Sequence, residues 1–267
     1  MPHTYECPMR WADMDLLGHV NNVTYLDYLA EAREHLFSGH GAARASVSLH
    51  QVEFVSPLVF RRRPVSVDSW VVAVTDDGLT LAHEVYDPPQ DGGETRTVYL
   101  RAETTLDHRL SDAERAIVEQ HRGEAHEWRP LVVESRPHGD TYSLTVRRSD
   151  IDESGVVSDV TFFEYAQEAR IQYLMNLHTR GEKWSQHVIA RTDVDYREPI
   201  RHRLEPYAVH SWIGHLGSRS FTIRSEIRDG DLVVAGASVV LVCFDLETQR
   251  TAEMAPAQRT RLEQELR

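Results

Sequence analysis

Residues 13–33, DMDLLGHVNNVTYLDYLAEAR, hold most of the side chains in this 267-residue chain whose type and spacing could do chemistry. Asp15 is a carboxylate set just ahead of a helix-forming run, and such a group can activate water or attack a carbonyl. A helix N-terminus carries about half a positive charge and several unpaired amides, which can receive negative charge developing on an oxygen. Gly18 permits the backbone conformation and close approach that a bulkier residue would obstruct. His19, four residues after Asp15, can polarise a carbonyl or orient water, and Asn22 can position a water or a substrate group. Each has a structural alternative: Asp15 as N-cap or turn residue, His19 as a packed or solvated ring, Asn21 and Asn22 as helix caps. Asp13 reads as a group that holds the turn together. Glu31-Ala32-Arg33 reads as a helix-borne ion pair or inter-domain contact, with catalysis by Glu31 as the alternative.

The same pattern occurs twice. Residues 150–170, DIDESGVVSDVTFFEYAQEAR, align without gaps to 13–33 at an offset of 137 and share 10 of 21 positions, against roughly one or two expected from average usage. A second block, VEFVSPLVFRRRPVSVDSWV (52–71), aligns with VDYREPIRHRLEPYAVHSWI (194–213) at an offset of 142. Two ordered blocks mark a duplicated domain, with units expected at 1–124 and 141–267 and a linker over 125–140 containing Pro130, Pro137 and Gly139. The second motif is degenerate. It keeps Asp152 and Gly155, but has Val156 in place of His19 and Ser158-Asp159 in place of Asn21-Asn22. One main site at Asp15 is therefore expected, with the second unit supplying a pocket wall and support. Asp150, like Asp13, is assigned to the turn.

The elements that must position these residues follow from periodicity. Each unit opens with a strand-like stretch, Thr4–Trp11 and Thr141–Arg148, and continues through the Asp-rich turn into a helix of about four turns. Apolar residues occupy much of that helix's circumference, which predicts burial against sheet. Four strands follow in each unit: Val47–Phe54, Val65–Val74, Leu79–Tyr86 and Arg96–Leu106, then Val188–Tyr196, Tyr207–His215, Ser220–Arg228 and Leu232–Phe244, with turns such as Asp76-Asp77-Gly78 and Asp91-Gly92-Gly93. Ser111–Glu124, with Ser111 as N-cap, and the tail from Ala255 predict short helices. The fold class is α+β, with antiparallel sheets curled around helices.

Composition narrows the classes of function. With 41% hydrophobic and 27% charged residues, the chain reads as soluble and globular. It shows no apolar run near the ~20 residues of a membrane span and no secretion signal at its start. Its two cysteines, Cys7 and Cys243, exclude a cysteine-rich zinc site and make a reducing cytoplasm the default. A net charge of −13 argues against nucleic acid as a partner. Arg61-Arg62-Arg63, echoed by Arg201-His202-Arg203, is a local basic cluster that can meet phosphates or serve as an exposed connecting loop. No His-Glu-x-x-His, Gly-rich phosphate loop or Gly-x-Ser-x-Gly elbow occurs, so neither a metal nor a cofactor is expected.

The string Arg10-Trp11-Ala12-Asp13-Met14-Asp15-Leu16-Leu17-Gly18-His19-Val20-Asn21-Asn22, followed by Tyr25, Tyr28 and Glu31-Ala32-Arg33, resembles the signature of hotdog-fold thioesterases of the 4-hydroxybenzoyl-CoA thioesterase type. The duplication resembles the tandem arrangement of acyl-ACP thioesterases, in which two hotdogs form an internal pseudo-dimer. The resemblance implies hydrolysis of an acyl-CoA or acyl-ACP thioester in lipid metabolism, with Asp15 as nucleophile or general base and helix amides as oxyanion donors. Asn21, Tyr25, Glu31, Arg61 and Arg63 are the candidate substrate-binding residues, and Asp152, Gly155 and Asp159 a second, degenerate site. Acyl-ACP thioesterases carry Asp, Asn and His at alternating positions in this segment. Leu17 stands at the Asn position here, which favours the simpler carboxylate mechanism. An acyl-thioester-binding protein without turnover is the alternative function, a hotdog dehydratase or hydratase a more distant one. Pairing with a second copy of the chain is compatible with either.

Overall fold

A computed structural model describes residues 1–89, 95–130, 140–178, 181–245, 247–248 and 250–266. The chain divides into two compact units, Met1–Trp128 and Arg129–Arg267. The first therefore runs beyond Glu124. His126 donates its backbone N–H to Glu103 at 2.7 Å, and its ring stands edge-on to Trp70 and Trp128. Residues 131–139 of the expected linker and the Asp91-Gly92-Gly93 turn lie outside the described residues.

The first unit consists of β1 (His3–Cys7), α1 (Thr24–Leu36), β2 (Ser46–Phe54), β3 (Val65–Val74), β4 (Gly78–Asp87), β5 (Thr97–Asp107) and α2 (Asp112–Gln120). Its strands lie in the order β1-β3-β4-β5-β2, every neighbouring pair antiparallel. The second unit repeats this with β6 (Asp140–Leu144), α3 (Asp159–Leu177), β7 (His187–Tyr196), β8 (Tyr207–Leu216), β9 (Ser220–Asp229), β10 (Leu232–Asp245) and α4 (Pro256–Glu265). Its order is β6-β8-β9-β10-β7, again antiparallel throughout. The opening strand is shorter than expected: it stops at Cys7, because Pro8 has no N–H to continue the ladder, and Trp11–Asp13 forms a 3-10 turn instead.

α1 buries Tyr25, Leu26, Tyr28, Leu29, Ala32, Arg33 and Leu36 and packs against β1 and β3. Leu36 and Phe37 join Val71, Leu79, Leu81 and Leu106 of the sheet and Val118 of α2 in one core. In the second unit Tyr173, Leu174 and Leu177 meet Ile213, Phe221, Ile223 and Leu241 in the same way, with Leu262 of α4. Ser111 caps α2 by accepting the Glu114 N–H.

A polar layer interrupts the apolar face of the first sheet. Ser69 and His83, cross-strand partners on β3 and β4, are hydrogen-bonded at 2.9 Å through the His83 Nδ1, and His50 Nδ1 meets the Thr104 hydroxyl at 3.0 Å. Burial, joined by the charges of Arg33, His50 and His126, pushes the His83 imidazole down to about 3. At the offset of 142 the second unit has Ser211 and Ser225, whose hydroxyls share a hydrogen bond of 2.8 Å.

Candidate active site

Asp15 sits in a tight loop closed by backbone pairing. Its N–H donates to the His19 carbonyl at 2.7 Å, the Gly18 N–H donates back to its carbonyl at 3.1 Å, and a bridge between Met14 and Val20 clamps the base. The half-buried carboxylate accepts the N–H groups of Leu17 at 2.8 Å and His19 at 3.1 Å, both on Oδ1. Among the described residues no donor takes Oδ2. The donors holding Asp15 thus belong to its own loop, and α1 starts only at Thr24. Helix amides as the direct neighbours of this carboxylate are therefore replaced by loop amides, a consequence of the 3-10 turn and loop inserted between strand and helix.

Gly18 has φ of +76° and its counterpart Gly155 +82°, the left-handed region that favours glycine. A Cβ at either position would meet nothing within 4 Å. Within the protein itself the requirement at Gly18 is therefore conformational.

Asp13 anchors the loop to the helix. Its Oδ2 accepts the Arg10 N–H and the Tyr28 hydroxyl, each at 2.6 Å, and its carbonyl accepts the Asn21 N–H at 2.8 Å. Asp150 repeats this with the Arg147 N–H at 2.8 Å and the Tyr165 hydroxyl at 2.6 Å. Burial and the adjacent carboxylate push both phenols up. Asn21 caps the helix entry: its side-chain oxygen accepts the Val23 N–H and its carbonyl the Thr24 N–H, both at 3.0 Å. Ser158, at the equivalent position, accepts the Thr161 N–H at 3.1 Å. The amides of Asn22 and Tyr25, at the start of α1, have no acceptor among the described residues, and neither the His19 ring nor the Asn22 side chain has a hydrogen bond there. Asp159 stands in the first turn of α3.

Tyr25 is buried, and its phenol is pushed up first by burial and further by Tyr99 and Asp15, while the Leu58 N–H and Arg61 pull the other way. A charged group lies near Tyr25. Arg61 pairs with Asp87 and donates to the Tyr99 hydroxyl at 3.1 Å, Arg63 reaches the same Asp87 at 2.8 Å, and Tyr99 donates to Asp87 at 2.7 Å. Arg61 and Arg63, candidates for phosphate contact or for an exposed connecting loop, thus converge on a buried carboxylate. At the offset of 142, Arg61 corresponds to Arg203 and Asp87 to Asp229, which form an ion pair of 2.7 Å. Glu31 is exposed and takes no ion pair among the described residues, whereas Arg33 is buried and donates to the Ala43 carbonyl at 3.1 Å. Of the two expectations for this segment, an ion pair or an inter-domain contact, a pair between Glu31 and Arg33 is not formed among the described residues: one side chain is exposed and the other buried.

The second loop copies the first, with Asp152 N–H on the Val156 carbonyl at 2.8 Å. Its carboxylate is more heavily engaged: Oδ1 accepts the Ser154 N–H, the Ser154 hydroxyl and the Val156 N–H at 2.8, 2.6 and 3.3 Å. Residues absent from the sequence-based site are Tyr28, Tyr165 and Asp87. The signal for each was its identity with the equivalent residue across the duplication.

No group of three or more His, Cys, Asp or Glu side chains suited to a metal ion occurs among the described residues. None of the helices searched there is long and apolar enough to cross a membrane.

Residues 9–119 and 146–262 each match the family model of the thioesterase-like superfamily. Solved structures with a similar fold include the 12:0-ACP thioesterase of Umbellularia californica, at TM-score 0.67 and 14% identity over 94% of each chain. An acyl-ACP thioesterase from Bacteroides thetaiotaomicron is similar at TM-score 0.63 and 15% identity, over 90% of this chain and 97% of that one. At these identities the likeness carries the fold alone. No curated protein matches the sequence. With both halves matched and both built as an antiparallel sheet around a helix, the chain belongs to the thioesterase-like superfamily as two tandem hotdog domains.

Proposed function

We propose that this protein hydrolyses an acyl thioester, acyl-CoA or acyl-ACP, with Asp15 as its central catalytic group. The observation that carries the reading is the Asp15 carboxylate, fixed through Oδ1 by two amides with Oδ2 left uncommitted among the described residues. An oriented carboxylate with one basic oxygen available can take a proton from water as the water adds to the thioester carbonyl. Collapse of the tetrahedral adduct then breaks the C–S bond, and the thiolate leaves with the proton that Asp15 returns. Alternatively the carboxylate adds directly, expelling the thiolate and forming an anhydride that water opens. The unengaged amides at the start of α1 supply donors for the oxyanion, a role worth about 100- to 1,000-fold in comparable sites. His19 is assigned to orienting the carbonyl or the water. The fold resemblance to acyl-ACP thioesterases supports the substrate class.

A panel of acyl-CoA and acyl-ACP substrates, read by free-thiol release, tests the proposal. Asp15→Asn is expected to lower kcat/KM by at least about 1,000-fold, in the range of losing an essential base or nucleophile. Full activity in that variant removes Asp15 from the mechanism. A single turnover in ¹⁸O-water identifies the anhydride route when label enters the Asp15 carboxylate, which requires water to open the anhydride at the Asp15 carbonyl. Tight acyl-CoA binding without any thiol release favours the non-catalytic alternative.

A further inference from the structure

Large apolar side chains are normally withdrawn from water, and a cluster of them left exposed marks a place where something apolar binds. Such a cluster surrounds the Asp15 loop. Leu16, the residue after Asp15, is 105% exposed, Leu17 61%, Trp11 77% and Val59 53%. Two backbone contacts and one ring contact tie the segments 11–20 and 58–60 together. His19 bridges to Val59, the Leu58 carbonyl accepts the Val20 N–H at 2.8 Å, and the Trp11 ring stands edge-on to Phe60 at 5.4 Å.

The duplication provides an internal control. The second loop has the same hydrogen bonds and the same positive-φ glycine, yet at the equivalent positions Trp11 becomes Arg148, Leu16 Glu153, Leu17 Ser154, Val59 Arg201 and Phe60 His202. The exposure of each position is unchanged between copies. Buried Leu58, by contrast, remains apolar as buried Ile200. One exposed position runs the other way, Arg62 against Leu204. Folding therefore does not require apolar side chains at these sites, and they surround only the loop whose carboxylate is half-buried and lacks the serine hydroxyl that engages Asp152.

Resting on the proposed hydrolysis at Asp15, we propose that Trp11, Leu16, Leu17, Val59 and Phe60 form an apolar rim that receives the acyl chain of the thioester, selecting medium and long apolar acyl groups over short ones. The acyl carbons adjoin the scissile carbonyl, so whatever carbonyl reaches Asp15 brings its chain across the residues that border the loop. Each methylene laid on such a surface leaves water and strengthens binding, which makes the selection grow with chain length.

The test transplants the second copy's residues into the first: Leu16→Glu with Leu17→Ser, and separately Val59→Arg, each checked for unchanged circular dichroism. The measured quantity is the ratio of kcat/KM for lauroyl-CoA to that for acetyl-CoA. A fall in this ratio of about 10- to 100-fold is expected. A ratio changed less than about threefold overturns the proposal, and two further measurements then name the occupant. A drop in sedimentation mass identifies a contact between copies of the chain, and lost retention on phosphatidylcholine vesicles identifies a lipid surface. Asp15→Asn keeps the two layers distinguishable: if it stays active, the site reading fails, and if it is inactive while the ratio is unmoved, only the rim fails.

Discussion

Asp13 and Asp15 are two residues apart and have opposite commitments. Asp13 is buried and its Oδ2 takes both the Arg10 N–H and the Tyr28 hydroxyl, while the half-buried Asp15 holds only its own loop, through Oδ1. Removing the Tyr28 hydroxyl leaves a buried carboxylate short of a donor, so Tyr28→Phe is expected to cost about 1–3 kcal/mol in urea unfolding. Tyr165→Phe is expected to cost less, since Asp150 is more exposed than Asp13. Equal losses would show that the anchor is insensitive to burial. At this scale the sequence singled out the residues of the loop and not their partners. Asp15, Gly18 and Asn21 stood out by spacing and repetition. The bonds from Asp13 to Tyr28 and from Arg61 to Asp87 join residues 15 and 26 apart in sequence, and no local pattern encodes such pairings.

Among the elements, the strands and helices follow the alternation and the helical spacing closely, because each has one face that must be buried. The opening strand departs at Pro8 and the helix starts later than a cap at the Asp-rich turn would place it, since loop geometry depends on φ values that composition signals only through Gly18 and Gly155. The polar layer under α1 was missed, although His83 occupies the inward phase of β4 between Leu81 and Val85. That layer has a consequence for acid stability. His83 binds its proton in the folded state only near pH 3, against 6.5 when unfolded, so the unfolded chain takes up the extra proton as pH falls through this window. Stability contributed by the neutral ring is complete above about 6.5 and is lost toward 3, with a slope of up to about 1.4 kcal/mol per pH unit. His83→Gln is expected to flatten the dependence of urea-unfolding free energy on pH over that interval. An unchanged slope would place the effect on other groups.

For the whole molecule, the doubling was the clearest feature of the sequence, and both matched segments and both sheets repeat it. What the alignment left open was how far the copies diverge in chemistry rather than in build. Asp152 carries three donors on one oxygen, including a serine hydroxyl, and its neighbourhood is polar. Asp152→Asn is therefore expected to change kcat/KM by less than about threefold where Asp15→Asn abolishes turnover, measured on the same acyl-CoA panel. Comparable losses in the two variants would mean that both loops take part.

The Ser154 hydroxyl on Asp152 also sets out a route to engineering. The second loop retains its glycine, its clamp and its tyrosine anchor, so the scaffold for a second reaction centre is already folded. Restoring Leu at 153 and 154, His at 156 and Asn at 158 and 159 alters surface and loop-edge side chains while leaving the backbone hydrogen bonds in place. On the proposal that Asp15 is catalytic, a chain altered in this way is expected to gain a second reacting loop, read as activity that survives Asp15→Asn.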